Sequence, residues 1–292
     1  MDMVHYDRTN YQSYQNVNNL FATNLKKLLK DDDIVWVHDY HFIPLAKKLR
    51  ALRCTQRMGF FLHTPWPTKE ILMALPKHRD LVESLLDYDV IGFQTKAYVI
   101  AFMDYIVREL GGVVDENSFI YALGKRTKVQ HFPISIDTKA FSRLAEQAED
   151  SVHVKRLINS VGEGKLILGV DRLDYSKGIL NRFEAYESFL KAYPRHLRNT
   201  VLMQIAPTSR GHVNEYKEIR EKLERKTGSI NGAFSDFDWT PVRYLNKGFS
   251  RKLLAGFYRR SAVGLITPLR DGMNLVAKEY VAAQSETNPG VL

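Results

Sequence analysis

Short apolar runs alternate with longer amphipathic stretches along this 292-residue chain. Ile34–Val37, Met58–Leu62, Val90–Phe93 and Val129–Phe132 are bounded by polar or proline signals, a pattern that predicts buried strands. Helical spacing fills the intervals over Ile43–Leu52, Leu81–Leu86 and Tyr98–Leu110, the last closed by Gly111-Gly112. The rhythm then restarts, with strands predicted at Leu166–Val170, Val201–Ile205, Val242–Leu245 and Ala262–Thr267. Helices are predicted at Phe183–Tyr193, Tyr216–Arg225, Lys252–Tyr258 and Leu275–Ala283. Such alternation specifies an α/β fold with parallel sheets covered by helices on both faces.

A polar, charged stretch, Ser142–Gly164, separates the halves and is itself partly helical through Val154, Leu157, Ile158 and Val161. It divides the chain into domains at 1–145 and 146–292. Doubly wound domains bind ligands at the carboxyl ends of their strands, and the most distinctive segments fall there. Pro289-Gly290-Val291-Leu292 reads as a turn opening a buried strand, and the first strand comes only at Ile34. Both domains are therefore expected to be incomplete, and the chain a fragment.

Composition narrows the function classes. Hydrophobic residues at 45% and charged ones at 26% suit a globular protein with a sizeable core. The single cysteine, Cys54, rules out a disulfide framework and fits a reducing compartment. No run reaches the ~20 apolar residues of a membrane span, and Met1–Tyr6 lacks a basic and then apolar leader. A cytoplasmic location is the expectation. The excess of 42 lysines and arginines over 33 acids, formally +9, suggests anionic partners. Lys47, Lys48 and Arg50 alternate with Leu45, Leu49 and Leu52, which is the wet face of a helix. No basic stripe interleaves with aromatics, so phosphorylated metabolites are favoured over nucleic acid.

Two segments carry phosphate chemistry. Asp171-Arg-Leu-Asp-Tyr-Ser-Lys-Gly178 follows a strand and leads into a helix. Arg172 and Lys177, five residues apart, can converge on one diphosphate, aided by oriented N–H groups at the helix start. The plain alternative is a surface loop whose cations pair with Asp171 and Asp174. Thr267-Pro-Leu-Arg-Asp-Gly-Met-Asn-Leu-Val-Ala-Lys-Glu279 leaves a strand, turns at Asp271-Gly272 and enters a helix. Successive N–H groups there suit a phosphate or sugar oxygen. Asp271 can accept hydrogen bonds from sugar hydroxyls, and Glu279 can reach a ribose diol.

These segments, with Gln204-Ile-Ala-Pro-Thr-Ser-Arg-Gly211, Trp36-Val-His-Asp-Tyr-His41 and Gly59-Phe-Phe-Leu-His-Thr-Pro-Trp-Pro67, resemble the signature motifs of the trehalose-6-phosphate synthase family. The likeness runs from about Tyr14 to the last residue, in the family's order. It implies two Rossmann-like domains of the GT-B glycosyltransferase architecture. It also implies retaining transfer of glucose from UDP-glucose to glucose 6-phosphate, with no metal or other cofactor. Carried over by motif, Arg172 and Lys177 would hold the donor diphosphate, Asp271 would bind glucose hydroxyls and Glu279 the ribose. The stretch Met273, Asn274, Leu275, Val276, Ala277 and Lys278 would surround diphosphate and nucleoside, with Phe249 along the nucleotide. His63 and Thr64 would line the glucose pocket, while Asp39 and Arg210 would face the acceptor.

Asp171 and Trp66 stand where the family often has glutamate and phenylalanine. The family's N-terminal glycine-rich loop lies outside this sequence, so the resemblance implies little activity for these 292 residues alone. A glucosylglycerol-phosphate synthase, a nitrogen-linking pseudoglycosyltransferase or a non-catalytic sugar-phosphate-binding regulatory homologue remain alternatives. Homo-oligomerisation stays open. His38, His41 and His63 do not have the helical spacing of a zinc protease, so a metal is not expected. Trp36, Trp66 and Trp239 are expected to be packing residues.

Overall fold

The computed structural model describes residues 6–208 and 214–292, and the chain divides into two compact units, Met1–Ile134 and Ser135–Leu292. The first unit runs α1 (Arg8–Leu28), β1 (Ile34–His38), α2 (Leu45–Ala51), β2 (Arg57–Leu62), α3 (Lys69–Met73), α4 (His78–Leu85), β3 (Val90–Phe93) and α5 (Lys96–Leu110). It closes with β4 (Val113–Val114), β5 (Phe119–Ala122) and β6 (Lys125–His131). The sheet order is β1-β2-β3-β6-β5-β4. The first four neighbours are parallel, as the sequence predicts. The β6-β5-β4 edge is antiparallel, which it does not. Leu123-Gly124 is too short a link for a parallel crossover, and both residues take the left-handed conformation that a tight hairpin demands. Ile91, Phe93, Phe102, Ile106 and Val129 form the fully buried centre of this unit.

Helix α1 docks through a narrow apolar edge, with Ala22 and Leu25 against the core and Phe21 4.7 Å from Phe42 between ring centroids, and through polar contacts as well. Its buried Asn18 donates to the carbonyls of Tyr14 (3.0 Å) and His41 (3.1 Å), tying the helix to the turn after β1.

The second unit runs α6 (Thr138–Glu149), α7 (Val152–Val161), β7 (Lys165–Val170), α8 (Ile179–Ala192), β8 (Thr200–Ile205), α9 (Asn214–Phe234), β9 (Val242–Leu245), α10 (Arg251–Arg260), β10 (Val263–Gly264) and α11 (Leu275–Ala283). The order β10-β7-β8-β9 is parallel throughout. Every residue of β8 is buried, as a strand covered on both faces requires. Helix α6 packs on α10 and α11, so the division falls at Ile134/Ser135, ahead of the 145/146 expected from composition. β10 is shorter than the predicted Ala262–Thr267. One further ladder bond, Leu265 N to Leu168 O at 2.9 Å, precedes the chain's departure into a loop. On the other side of β10, Val263 bridges Val291 in parallel.

Candidate functional site

The loop after β7 is fixed by its neighbours rather than by itself. Asp171 N donates to Ile205 O (3.0 Å) and Leu173 N to Pro207 O (3.0 Å), which extends the β7–β8 pairing beyond the strands. Asp174 accepts from Ser176 N (2.9 Å), Ser176 Oγ (2.8 Å) and Tyr216 Oη (3.2 Å). Burial pushes its carboxyl up, but these donors outweigh burial and hold it below the ordinary range. A 3-10 turn over Tyr175–Lys177 then delivers the lysine. Gly178 follows with φ at 62°, and a Cβ there would lie 2.6 Å from the carbonyl oxygen of Thr267, so only glycine fits.

That close approach brings in the second loop. Leu269 N and Arg270 N both donate to Ser176 O, at 2.8 and 3.3 Å. Lys177 Nζ lies 2.7 Å from Asp271 Oδ2, and the same oxygen accepts from Asn274 Nδ2 at 3.0 Å. Asn274 Oδ1 in turn caps α11, accepting from Ala277 N at 2.9 Å. Two segments almost a hundred residues apart thus form one constellation of cation, carboxylate and helix N-terminus, a geometry suited to an anionic ligand bearing hydroxyls.

The expected residues distribute around this constellation. Lys177, Asp271 and Asn274 are in direct contact. Arg172 is exposed in the same loop and makes no ion pair among the described residues. Asp171 pairs with Arg182 instead, and Asp174 with Ser176 and Tyr216, so the loop cations are not spent on either acid. Met273, Leu275, Val276, Ala277 and Lys278 are half-buried along the start of α11. Glu279, further along the helix, is half-buried. Burial raises its carboxyl above the ordinary range, against a weaker pull from Arg251, 4.0 Å away. Phe249 is half-buried against Phe257, with Lys247 Nζ 5.3 Å from its ring centroid.

In the first unit the expected residues cluster at the ends of β1 and β2. Asp39 has φ 70° and ψ 167°, a combination that costs a non-glycine residue on the order of 1–3 kcal/mol and concentrates at functional sites. Its N–H donates to Phe61 O at 2.8 Å, and its carbonyl accepts from Phe42 N at 3.2 Å. His63 Nε2 lies 3.0 Å from His38 Nδ1. Thr64 lines a cavity of about 400 Å³ together with Tyr14, Tyr40 and Trp66.

Trp66 is a buried packing residue, edge-on to Phe93 and Phe102. Trp36 is not: it is 68% exposed and lies over His38 with ring centroids 4.4 Å apart. It points to the face of β1 that the described residues leave uncovered. Arg210 lies outside the described residues. No group of three His, Cys, Asp or Glu among the described residues is placed to hold a metal ion.

Sequence reading passed over His38 as a partner for His63 and Arg182 as a partner for Asp171. The first was within reach, because His38 and His63 follow adjacent predicted strands. The second had no local signal, since its partners are distant in sequence.

The sequence matches the profile of Glycosyltransferase family 20 over residues 2–292. This chain belongs to glycosyltransferase family 20. Its similarity to a trehalose-6-phosphate synthase of Sodalis glossinidius is 46% identity over 294 residues, covering all of this chain and 62% of that relative. A Burkholderia xenovorans α,α-trehalose-phosphate synthase (UDP-forming), solved in complex with glucose 6-phosphate, superposes with a TM-score of 0.97 at 44% identity, covering all of this chain and 65% of that one. An E. coli structure described as bound with UDP-2-fluoro glucose superposes with a TM-score of 0.94 at 46% identity, again over all of this chain and 65% of that one. The family 20 chain thus spans about 62% of the length of the curated relatives it matches. Its α/β class and Rossmann-like, GT-B organisation are those expected from the sequence.

Proposed function

We propose that the protein is a retaining glucosyltransferase that moves glucose from UDP-glucose to glucose 6-phosphate, giving α,α-trehalose 6-phosphate and UDP. The observation that carries this reading is the 2.7 Å contact between Lys177 and Asp271, which joins the two motif loops at the N-terminus of α11. The relatives' described ligands, glucose 6-phosphate in one and a UDP-glucose analogue in another, are the two chemistries such a protein would handle.

In this reading Lys177 and Arg172 face the donor diphosphate. As the bond from glucose to UDP breaks, negative charge gathers on the departing phosphate, so cations already in place act most strongly in the transition state. The first N–H groups of α11 add to that field without having to reorganise. Asp271 accepts from glucose hydroxyls once a phosphate has taken its place beside Lys177. Glu279 holds the ribose diol, and Met273–Lys278 and Phe249 lie along the nucleotide. Asp39, His63 and Thr64 in the first unit serve the sugars, and Arg210 the acceptor phosphate. No pair of carboxylates is required to serve as nucleophile and acid: same-face attack passes the acceptor's proton to the leaving phosphate. Most of the donor contacts then come from residues after the division, while the sugars also draw on Asp39, His63 and Thr64 before it.

The test is to incubate the full-length protein that carries these 292 residues with UDP-glucose and, separately, glucose 6-phosphate or glycerol 3-phosphate, and to identify the product by NMR. Trehalose 6-phosphate with retained α linkage is expected. Exclusive glucosylation of glycerol 3-phosphate, or nucleotide binding with no transfer to either acceptor, would refute it.

A further inference from the structure

Below the two loops lies a charged group that the donor reading leaves unused. Arg182, on the first turn of α8, has a side chain with no exposure at all, and its partner Asp171 has 1%. Nη1 donates to Asp171 Oδ2 (2.6 Å) and Gln204 Oε1 (2.6 Å), and Nε donates to Thr267 Oγ1 (3.1 Å). Gln204 Nε2 completes the set by donating to Ile205 O at 3.1 Å. Nη2 is buried with no partner among the described residues. The strand beside it is kept bare for this fork: a Cβ on Gly169 would stand 2.6 Å from Nη1 and 2.3 Å from Gln204 Oε1.

Stability alone is a poor explanation for this group. Desolvating a guanidinium and a carboxylate offsets much of their attraction, and apolar replacements of similar volume often serve a fold as well. The contacts are instead distributed as a gauge would be. One planar group touches the residue next to Arg172, the end of the strand that hydrogen-bonds that loop, and the residue that opens the segment carrying Asp271. We infer that Arg182 is a positioning residue that sets the spacing between the loop bearing Arg172 and Lys177 and the loop bearing Asp271, an inference resting on the donor-site reading above. Lysine cannot replace it, because a point charge on a flexible stem does not reach three partners in fixed directions.

The experiment measures UDP affinity by isothermal titration calorimetry and the thermal unfolding midpoint of the full chain. The variants are Thr267→Val, Arg182→Lys and Lys177→Ala, with each of the first two also combined with the third. Thr267→Val removes one hydroxyl and keeps the ion pair, so it remains informative if Arg182→Lys does not fold. UDP affinity is expected to fall roughly fivefold in Thr267→Val and further in Arg182→Lys. Most of that loss should disappear in the Lys177→Ala background, where the positioned cation is gone. Affinity losses that simply multiply with that of Lys177→Ala overturn the positioning role. So does unchanged UDP affinity in folded variants whose unfolding midpoint alone has dropped. An unsubstituted chain that binds no UDP overturns the donor-site reading, and this inference with it.

Discussion

Glu279, placed by the proposed function on the ribose, is held at the expense of the fold. Burial penalises its ionised form and raises its carboxyl above the ordinary glutamate range, with Arg251 only partly compensating. The sign of the linkage follows: its contribution to stability is intact below the unfolded value and is lost as pH rises through the raised folded value. Glu279→Gln is therefore expected to raise the thermal unfolding midpoint at pH 7 and to leave it unchanged near pH 3. The same variant should weaken UDP binding by about tenfold, as a carboxylate facing a ribose diol is lost. A midpoint that rises equally at both pH values would show that burial of charge is not the cause. Glu149 behaves oppositely. Hydrogen bonding from Arg259 lowers its carboxyl against the pull of burial, with Arg260 assisting, so its contribution is present above the ordinary carboxylate value and fades as pH falls through the lowered one.

At the scale of elements, what could be read in advance followed from burial. Strands β2, β3, β7, β8 and β9 show as short apolar runs because they are largely buried, β1 does so although one of its faces is exposed, and α5 and α10 show as helices because one face of each is buried. Helix α1 was illegible for the converse reason: among its residues only Asn18 and Ala22 are buried, and the polar Asn18 interrupts the narrow apolar edge that Phe21, Ala22 and Leu25 form. Helix α9 extends to Phe234, well past the predicted Arg225, through Gly228 and Gly232. Burial of Ile230 against the core carries it through residues of poor propensity. The motif loops were legible as chemistry but not as geometry. Nothing in the spacing of Lys177 and Asp271 reports the bond between them, nor the third group, Asn274, that shares the same oxygen. Asn274 belongs to this scale because it both starts α11 and holds Asp271. Asn274→Ala should cost about 1 kcal/mol of stability as an unmade cap. It should also lower kcat/KM for UDP-glucose by more than the small fall in folded population explains, which steady-state kinetics well below the unfolding midpoint would show. Unaltered kinetics would reduce Asn274 to a cap.

At the scale of the molecule, each hydrophobic cluster belongs wholly to one unit: one within Ala22–Val129, the others from Phe141 onward. Units with separate cores can be stabilised separately by whatever binds them. UDP is expected to slow amide exchange in β7, β8 and α11 while leaving β3 and β6 unchanged, as mass spectrometry of peptides from each unit would show. Equal protection of both sets would mean that the nucleotide is held differently from the proposal.

The bond between Lys177 and Asp271 also bears on selectivity among the many phosphates a cell contains. With its ammonium already answered by an internal anion, Lys177 offers little to a bare inorganic ion, which would have to part it from the Asp271 carboxylate. Under the proposed function, a nucleotide carrying a sugar would give each half of the broken pair a new companion at once. The cradle thus rewards a ligand for being whole.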